Sequence, residues 1–301
     1  MTETTIETQA RAKINLSLEV IGRRGDGYYD VATVLHEIDI TDRMAFRPAD
    51  GLRLICEAPP SAPEDNLVLR AARLLQERTG CTLGAEITLE KEIPVSSGLG
   101  GGSSDAAATL NTLNSLWGLG LSNVRLLELA AELGSDVPFF VNGGCALSEG
   151  KGEAVTSLPQ MTDCWVVLLA PPMREADKTG RMYSLLAEED FSDGSVTRRL
   201  AQGLTAGSSS VDDVAMCRNA FERSAEVAFP SLDSYRHAFL DAGAPFVRLC
   251  GSGPSLFSLF EKREMGLAVG DQLQQGGYET RLGRLVGAHG VDLRGGPQLE
   301  W

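Results

Sequence analysis

A run of glycine and serine residues is the strongest candidate for chemistry in this chain. The segment Pro94-Val-Ser-Ser-Gly-Leu-Gly-Gly-Gly-Ser-Ser-Asp105 contains four glycines and four serines. Glycines let backbone N–H groups approach an anion closely, and the first turn of a helix carries unpaired donors and the positive end of the helix dipole. The composition therefore allows a phosphate-binding loop, a structural turn or a linker, and the flanking elements favour the phosphate-binding loop.

The flanks of this run predict a strand before it and a helix after it. Residues 85–93 alternate apolar and polar side chains, which is the period of a half-buried strand. From Ala106 to Trp117, apolar side chains recur at helical spacing. No Lys-Ser or Lys-Thr pair closes the loop, and Ser103 stands where a dinucleotide fingerprint has its third glycine. The loop therefore belongs to neither of those two classes of phosphate site.

Length and composition exclude several classes of protein. The chain has 301 residues, of which 43% are hydrophobic and 23% are charged, as in a globular protein of one large or two ordinary domains. Its net charge of −14 argues against a nucleic-acid partner. No apolar run approaches the roughly 20 residues that span a bilayer, so we expect no membrane partner.

Cysteine and histidine spacings do not indicate a disulfide framework or a zinc site. The six cysteines include no C-x-x-C pair, and the N-terminal residues carry neither a basic nor an apolar targeting segment. We therefore expect reduced thiols and a cytoplasmic location. The three histidines, His36, His237 and His289, lie far apart without paired ligand spacing, which disfavours a zinc site.

The first predicted strand carries two polar candidates. Residues 10–20 place apolar side chains on one face and Lys13 and Asn15 on the other. By itself this pattern describes Lys13 as a solvated residue on an exposed face. A glycine-punctuated loop follows, with Tyr28 and Tyr29 side by side. These rings are either solvent-facing turn residues or a pair suited to stacking on a base.

The segment Gly134-Ser-Asp-Val-Pro-Phe-Phe140 follows a predicted helix over residues 122–133. Because Pro138 disfavours a helical conformation for Val137, we expect the helix to end and the chain to become extended after Asp136. From its neighbours alone, Asp136 is a turn residue.

The second half of the chain predicts a compact unit of β-α-β-β-α-β order, with a domain boundary near Leu158. Residues 203–213 are predicted as a polar loop, and residues 251–254 as the glycine turn of a hairpin. The other predicted elements are strands at residues 164–170 and 278–282, helices at 179–187, 219–227, 231–242 and 262–273, and apolar runs at 246–250 and 255–260.

Three motifs resemble those of the GHMP kinases, the family of galactokinase and of homoserine, mevalonate and phosphomevalonate kinases. They are the glycine-serine run, Ala-Lys-Ile-Asn-Leu at residues 12–16, and the glycine turn at residues 251–254. The resemblance extends from residue 10 to about residue 285. It implies an α+β, two-domain GHMP kinase fold with the active site in the cleft between the domains. Residues 1–158 would form a ribosomal protein S5 domain 2-like domain, and residues 159–301 a ferredoxin-like α/β domain.

The same resemblance implies transfer of a phosphoryl group from ATP, with Mg²⁺, to an alcohol. Asp136 would orient the alcohol and accept its proton, and Lys13 would stabilise the developing negative charge. Asp105 would cap or order the loop, and the metal ligands stay unassigned. The residues that would bind ATP are Pro94, Val95, Ser96, Ser97, Gly98, Leu99, Gly100, Gly101, Gly102, Ser103 and Ser104.

Shorter motifs resemble one branch of this family, which phosphorylates the 2-hydroxyl of a cytidylated methylerythritol in the non-mevalonate isoprenoid pathway. They are the strand from Ala10 to Leu18, the loop Asp26-Gly-Tyr-Tyr29, and Gly134 to Phe140. Tyr29 stands where that branch has a histidine, so the ring is kept but the imidazole hydrogen bonds are lost. The implied substrate-binding residues are Asn15, Tyr28, Tyr29, Asp136, Gly251, Ser252 and Gly253.

Other functions share parts of this pattern. A homoserine, sugar or mevalonate-type kinase would have the same loop and hairpin, and a related decarboxylase would consume ATP and release CO₂. A protein that binds nucleotide without catalysis is the alternative from a different class. The small-molecule substrate is the expected partner, and the oligomeric state is left open.

Overall fold

The computed structural model of the protein describes residues 5–57, 65–161, 163–173 and 178–288, so His289 lies outside the described residues. Within these ranges the chain forms two β-sheets covered by helices, and the predicted α+β class is confirmed. Among the described helices, none combines the length and the apolar character that a membrane crossing requires.

A long hairpin forms the centre of the first sheet. Its six strands are β1 (Ile6–Arg23), β2 (Tyr29–Ala49), β3 (Leu52–Ile55), β4 (Gly84–Glu90), β5 (Cys145–Gly150) and β6 (Ala154–Leu158). β1 pairs antiparallel with β2 along most of its length. The other edge of β2 pairs with β5 and then with β4, while β3 and β6 form the outer strands.

Helices cover one face of this sheet: α1 (Leu67–Thr79), α2 (Gly101–Leu116), α3 (Asn123–Leu133) and α4 (Val137–Asn142). Side chains cap α1 and α3, since Asn66 accepts the amide of Val68 at 2.9 Å and Ser122 accepts that of Arg125 at 3.3 Å. α2 begins differently, because its N-cap is Gly100 and no side chain caps it. The first amides of α2 are therefore left without a side-chain acceptor.

The second sheet contains β7 (Trp165–Leu169), β8 (Arg248–Leu249), β9 (Leu256–Phe260) and β10 (Thr280–Arg284). Its strand order is β10-β7-β9-β8 with all neighbours antiparallel, as expected for a ferredoxin-like unit. The helices of this half are α5 (Lys178–Ser184), α6 (Ser195–Thr205), α7 (Val211–Ala215), α8 (Glu222–Ala228), α9 (Leu232–Asp241) and α10 (Arg263–Gln275).

One local prediction is wrong in its bounds and another in its conformation. The polar loop predicted at residues 203–213 is shorter, because residues 203–205 end α6 and residues 211–213 begin α7, which leaves residues 206–210 as the loop. The chain after Asp136 is not extended, because α4 starts at Val137 with Pro138 in its first turn. A proline at that position loses no hydrogen bond, since the first amides of a helix have no partner within it, so Pro138 begins a new helix.

The two halves share an apolar interior. Ile14 and Ile38 of the first sheet belong to the same buried cluster as Val166 and Phe257 of the second. α6 packs on β1, β2 and β5, although it follows β7 in the chain. The sheets separate between β6 and β7, but the division into residues 1–158 and 159–301 stays a prediction.

Two glycine loops from the two halves are in direct contact. Gly98 has φ of 89°, and a Cβ atom at this position would overlap the carbonyl oxygen of Cys250. Beside it, the amide of Ser255 donates to the carbonyl oxygen of Ser97 at 3.1 Å. Only glycine combines this backbone angle with so close an approach of two main chains.

We expect Gly98→Ala to lower the free energy of unfolding by about 2–5 kcal/mol, because it adds left-handed strain and a backbone overlap. Gly118→Ala is the matched control, since Gly118 has φ of 62° and no heavy atom within 4 Å of a built Cβ. The control variant introduces only the left-handed strain, so its free energy of unfolding should fall by about 1–2 kcal/mol. Urea denaturation of both variants measures the difference, and equal losses would contradict the contact.

Candidate active site

β1 carries two polar side chains into the interior. Lys13 is 3% exposed and Asn15 is buried, so the description of Lys13 as a solvated surface residue is wrong. The Lys13 ammonium donates to Asn15 Oδ1 at 2.8 Å, and the Asn15 amide donates to Thr33 Oγ1 at 2.8 Å. A buried ammonium needs such oxygen partners, because leaving water without them is costly.

The structure brings Lys13 and Asp136 together from distant parts of the sequence. Lys13 Nζ lies 3.5 Å from Asp136 Oδ2. Asp136 occupies the junction between α3 and α4, and its side chain is 41% exposed while that of Lys13 is 3% exposed. The carboxylate therefore has one side on the buried cation and another open to an incoming molecule.

The glycine loop packs directly on this pair. The amide of Lys13 donates to the carbonyl oxygen of Leu99 at 2.9 Å. Gly100 has φ of 74°, and a Cβ there would lie 2.8 Å from the ring of Phe140 and 3.1 Å from the Lys13 side chain. Because α2 starts at Gly101, residues 101–104 are the first turn of a helix and not part of a loop as predicted.

The hairpin turn of the second half covers the same lysine. A Cβ on Gly251 would lie 3.0 Å from Lys13 Nζ and 3.4 Å from Asn15 Oδ1. Asn219 holds the turn in place, because its side-chain amide donates to the carbonyl oxygens of Gly251 at 2.7 Å and Leu249 at 2.9 Å. Three chain segments thus meet around one ammonium group.

A cavity of about 310 Å³ opens at this meeting point, between the two halves. Its walls include Lys13, Asp136, residues 94–98 and 100–103 from the first half, and Lys178 and Ser252 from the second. Two of the predicted loop residues are elsewhere: Leu99 is fully buried, and Ser104 lines a different cavity.

That second cavity is larger, about 1030 Å³, and is lined mainly by β1, β2 and α2. Neither Lys13 nor Asp136 lines it. Its carboxylate Glu37 is buried against Arg11 and the amide of Gly144. We therefore assign the smaller cavity as the candidate active site.

A buried ion-pair cluster anchors α2 and was missed in the sequence. Lys91 Nζ lies 2.8 Å from Asp105 Oδ2 and also pairs with Asp42 Oδ2. The Oδ1 atom of Asp42 accepts the amides of Glu92 at 2.6 Å and Ile93 at 2.8 Å. Burial would lower the pKa of Lys91, but the two carboxylates outweigh it and the pKa is raised. Asp105 therefore ties the first turns of α2 to the sheet, the ordering role expected of it.

A third lysine lines the cavity, besides Lys13 and Lys91, and was also missed. Lys178 Nζ donates to the carbonyl oxygen of Gly253 at 2.6 Å. Burial and the positive charge of Lys13 lower the pKa of Lys178 to about 8, against the attraction of Asp136. No local pattern marks this residue, because its neighbours in the cavity come from other parts of the chain.

The two tyrosines of the predicted base-binding loop point to different surroundings. Tyr28 is 58% exposed, with Lys151 Nζ 4.8 Å above its ring. Tyr29 is the first residue of β2 and not a loop residue, and its ring stacks on Tyr183 with centroids 4.8 Å apart. Burial raises the pKa of Tyr183 to about 12, and the charge of Asp136 adds to this shift. Tyr183 therefore lies near enough to Asp136 to feel its charge.

Within the described ranges, no group of three or more His, Cys, Asp or Glu side chains is arranged to hold a metal ion.

His36 has a structural role. Its Nε2 accepts the amide of Met161 at 3.2 Å, its Nδ1 bonds the carbonyl oxygen of Glu37 at 2.9 Å, and burial lowers its pKa to about 4.

Comparison with known proteins agrees with this geometry. Residues 66–144 match the family described as the GHMP kinases N terminal domain, and residues 202–279 match the GHMP kinases C terminal family. A 4-diphosphocytidyl-2-C-methyl-D-erythritol kinase from Dehalococcoides mccartyi is 42% identical over 279 residues, which cover 92% of this chain and 97% of that protein.

Further relatives carry the same name. The kinase from Symbiobacterium thermophilum is 40% identical over 264 residues, covering 87% of this chain and 93% of that protein. The crystal structure of a 4-(cytidine 5'-diphospho)-2C-methyl-D-erythritol kinase superposes with a TM-score of 0.78 at 32% identity, covering 94% of this chain and 100% of the other. With both family domains matched and relatives that cover most of its length, this chain belongs to the GHMP kinase family.

Proposed function

We propose that this protein transfers the γ-phosphoryl group of ATP to the 2-hydroxyl of 4-diphosphocytidyl-2-C-methyl-D-erythritol, a step of non-mevalonate isoprenoid synthesis. One observation carries the reaction type: a buried lysine lies 3.5 Å from an accessible aspartate, Lys13 from Asp136, beside an uncapped helix start. The acceptor is supported by the relatives from D. mccartyi and S. thermophilum, which carry the name of this kinase.

ATP would lie in the cavity with its nucleoside on apolar surface. Leu67 and Pro94 line the cavity, are partly exposed and offer such surface. The amides at the start of α2 have no side-chain cap, so the triphosphate can accept hydrogen bonds from them. In this orientation the outer phosphoryl group faces Asp136.

Asp136 acts on the acceptor. A carboxylate is a far weaker base than an alkoxide, so it cannot remove the alcohol proton before attack begins. Asp136 instead accepts a hydrogen bond from the 2-hydroxyl, holds its oxygen in line with phosphorus, and takes the proton late in the transfer. The Lys13 ammonium stabilises the negative charge that develops beside it.

Mg²⁺ fits this site as an ion that the triphosphate carries. Mg²⁺ usually keeps several waters and takes one or two carboxylates plus phosphate oxygens, so it needs no protein cage. Among the side chains that line the cavity, the oxygen donors are the Asp136 carboxylate and the hydroxyls of Ser96, Ser97, Ser103, Thr179 and Ser252. When bound, the ion would neutralise phosphate charge.

The cytidine of the acceptor would lie toward Tyr28 and the stacked rings of Tyr29 and Tyr183. Aromatic faces bind bases by stacking. The electrostatic link between Tyr183 and Asp136 supports this position, because the acceptor must reach from the aromatic rings to the carboxylate.

We also expect a cytoplasmic location. In the described part of the chain all six cysteines are free, and burial raises the pKa values of Cys145, Cys164 and Cys250 to about 12. Unreactive, unpaired thiols suit a reducing compartment.

Offered ATP and Mg²⁺ with cytidylated methylerythritol, homoserine, galactose and mevalonate, the protein is expected to phosphorylate only the first. Mass spectrometry of the products identifies the phosphorylated compound and detects any CO₂-losing product of a decarboxylase. Phosphate on a different acceptor would overturn the substrate assignment and leave the kinase class standing. ATP binding with no product from any acceptor would favour a nucleotide-binding protein.

Asp136→Asn is expected to lower kcat by about 10²–10⁴-fold, because the amide cannot take the alcohol proton. The binding of ATP should change little, since the loop amides remain. Asp50→Asn removes a carboxylate from the exposed turn after β2 and serves as the matched control. Steady-state kinetics measures kcat for both variants, and an Asp136→Asn enzyme with wild-type kcat would refute the role of Asp136.

Tyr28→Ala is expected to raise the KM for the cytidylated acceptor about 5- to 100-fold through loss of base stacking, with the KM for ATP unchanged. Tyr28→Phe keeps the ring and should behave like the wild type. If the alanine variant binds the acceptor normally, or if both variants lose ATP binding equally, Tyr28 does not contact the base.

A further inference from the structure

We infer that Lys178 is a second active-site cation that binds the γ-phosphoryl group of ATP and stabilises its charge during transfer. This role rests on the proposed kinase function and adds a catalytic residue to it. The position follows from the fold: Lys178 is the first residue of α5, and it lines the cavity together with Ser252 of the hairpin turn.

The ammonium group of Lys178 is held but not neutralised. One of its N–H groups donates to the carbonyl oxygen of Gly253 at 2.6 Å. No carboxylate in the described part of the chain forms an ion pair with it. An ammonium has three donors, and the described residues occupy one of them, so two can serve a ligand. A carbonyl oxygen fixes the direction of the group without cancelling its charge.

The charges around Lys178 favour an anion. Among the described residues, three titratable groups act on its charge: Lys13 from β1, Asp136 from the start of α4, and Cys250 from the hairpin turn. Lys13 already bonds Asn15 and pairs with Asp136, so within the described part of the chain one carboxylate serves two cations. Buried charge is stable only when it is paired, and a phosphate would supply the missing negative charge.

The geometry selects the outermost phosphoryl group. A Cβ on Gly101 would lie 3.0 Å from Ile93, and one on Gly102 would lie 3.6 Å from Leu67, so inner phosphates bound to the amides of residues 98–103 would lie near these apolar side chains. Lys178 is held by the hairpin turn instead and lines the cavity together with Asp136, which must meet the acceptor hydroxyl. The phosphoryl group between nucleotide and acceptor is therefore the one that Lys178 meets.

The chemistry of the step explains why a cation is useful there. The acceptor oxygen forms a bond to the γ-phosphorus, and the bond from that phosphorus to the β–γ bridging oxygen breaks. The electron pair of the broken bond stays on ADP, and the alcohol proton passes to Asp136. In a loose transition state charge is spread over the phosphoryl oxygens and the leaving oxygen, so a fixed ammonium stabilises it. Lys178 keeps its protons throughout.

The test compares Lys178→Met and Lys178→Arg with the wild type, and Lys262→Met serves as a control that removes an exposed lysine outside the cavity. Calorimetry with Mg²⁺ measures Kd for ATP and for ADP, and single-turnover kinetics measures the chemical step. Lys178→Met is expected to weaken ATP binding by about 10- to 100-fold, the effect of one charged hydrogen bond, with ADP binding little changed. The chemical step slows further, while Lys178→Arg retains most of both.

A pH series adds a second readout. Because the free Lys178 ammonium is charged below a pKa of about 8, the wild type should lose ATP affinity as the pH rises through that value. Lys178→Arg stays charged and should not show this loss, whereas Lys13, Asp136 and Cys250 are the same in both proteins.

Three results would overturn the role of Lys178: wild-type ATP affinity and rate in Lys178→Met, equal loss of ATP and ADP affinity, or an effect confined to the KM of the acceptor. Normal ADP binding by Lys178→Met shows that the glycine loop is intact. Failure of the proposed function is distinguishable, because the comparison of ATP with ADP requires no acceptor and no turnover.

Discussion

The site depends on keeping one ammonium group charged inside the protein. Lys13 is buried in the first sheet and takes oxygen partners from its own strand and from the start of α4, Asn15 at 2.8 Å and Asp136 at 3.5 Å. The glycine loop and the hairpin turn close over it so tightly that a side chain at Gly100 or Gly251 would contact the lysine. Strand, helix start and both loops are therefore arranged around a single charge that could not be buried alone.

This arrangement explains why the active site needs both halves of the chain. The glycine loop belongs to the first half, but the main chain of the hairpin turn touches it at Gly98, and Lys178 enters from α5. Beneath the loop, Lys91 ties Asp105 of α2 to Asp42 of β2. A rigid helix start, a covered lysine and an accessible carboxylate together give the preorganised charge on which phosphoryl transfer relies.

Local sequence patterns predict those elements that depend on interactions between residues close together in the sequence. Alternation and glycine content identify the strand, loop and helix around Gly98, and the strand order of the second half follows from its element order. The pairing of Lys13 with Asp136 came from family resemblance, since no spacing rule links them. Lys91 and Lys178 were missed because their partners come from other strands and loops. The conformation after Asp136 was predicted wrongly because Pro138 can end one helix or start the next, and only tertiary packing decides between the two.

The most direct measurement is a crystal structure of the protein with a non-hydrolysable ATP analogue and the cytidylated acceptor. The account predicts the γ-phosphate between the start of α2 and Asp136, with the acceptor 2-hydroxyl oxygen about 3–3.5 Å from phosphorus and in line with the leaving oxygen. The Asp136 carboxylate should lie about 2.6–3.2 Å from that hydroxyl. A triphosphate bound away from the glycine loop, or an acceptor hydroxyl beyond the reach of Asp136, would contradict it.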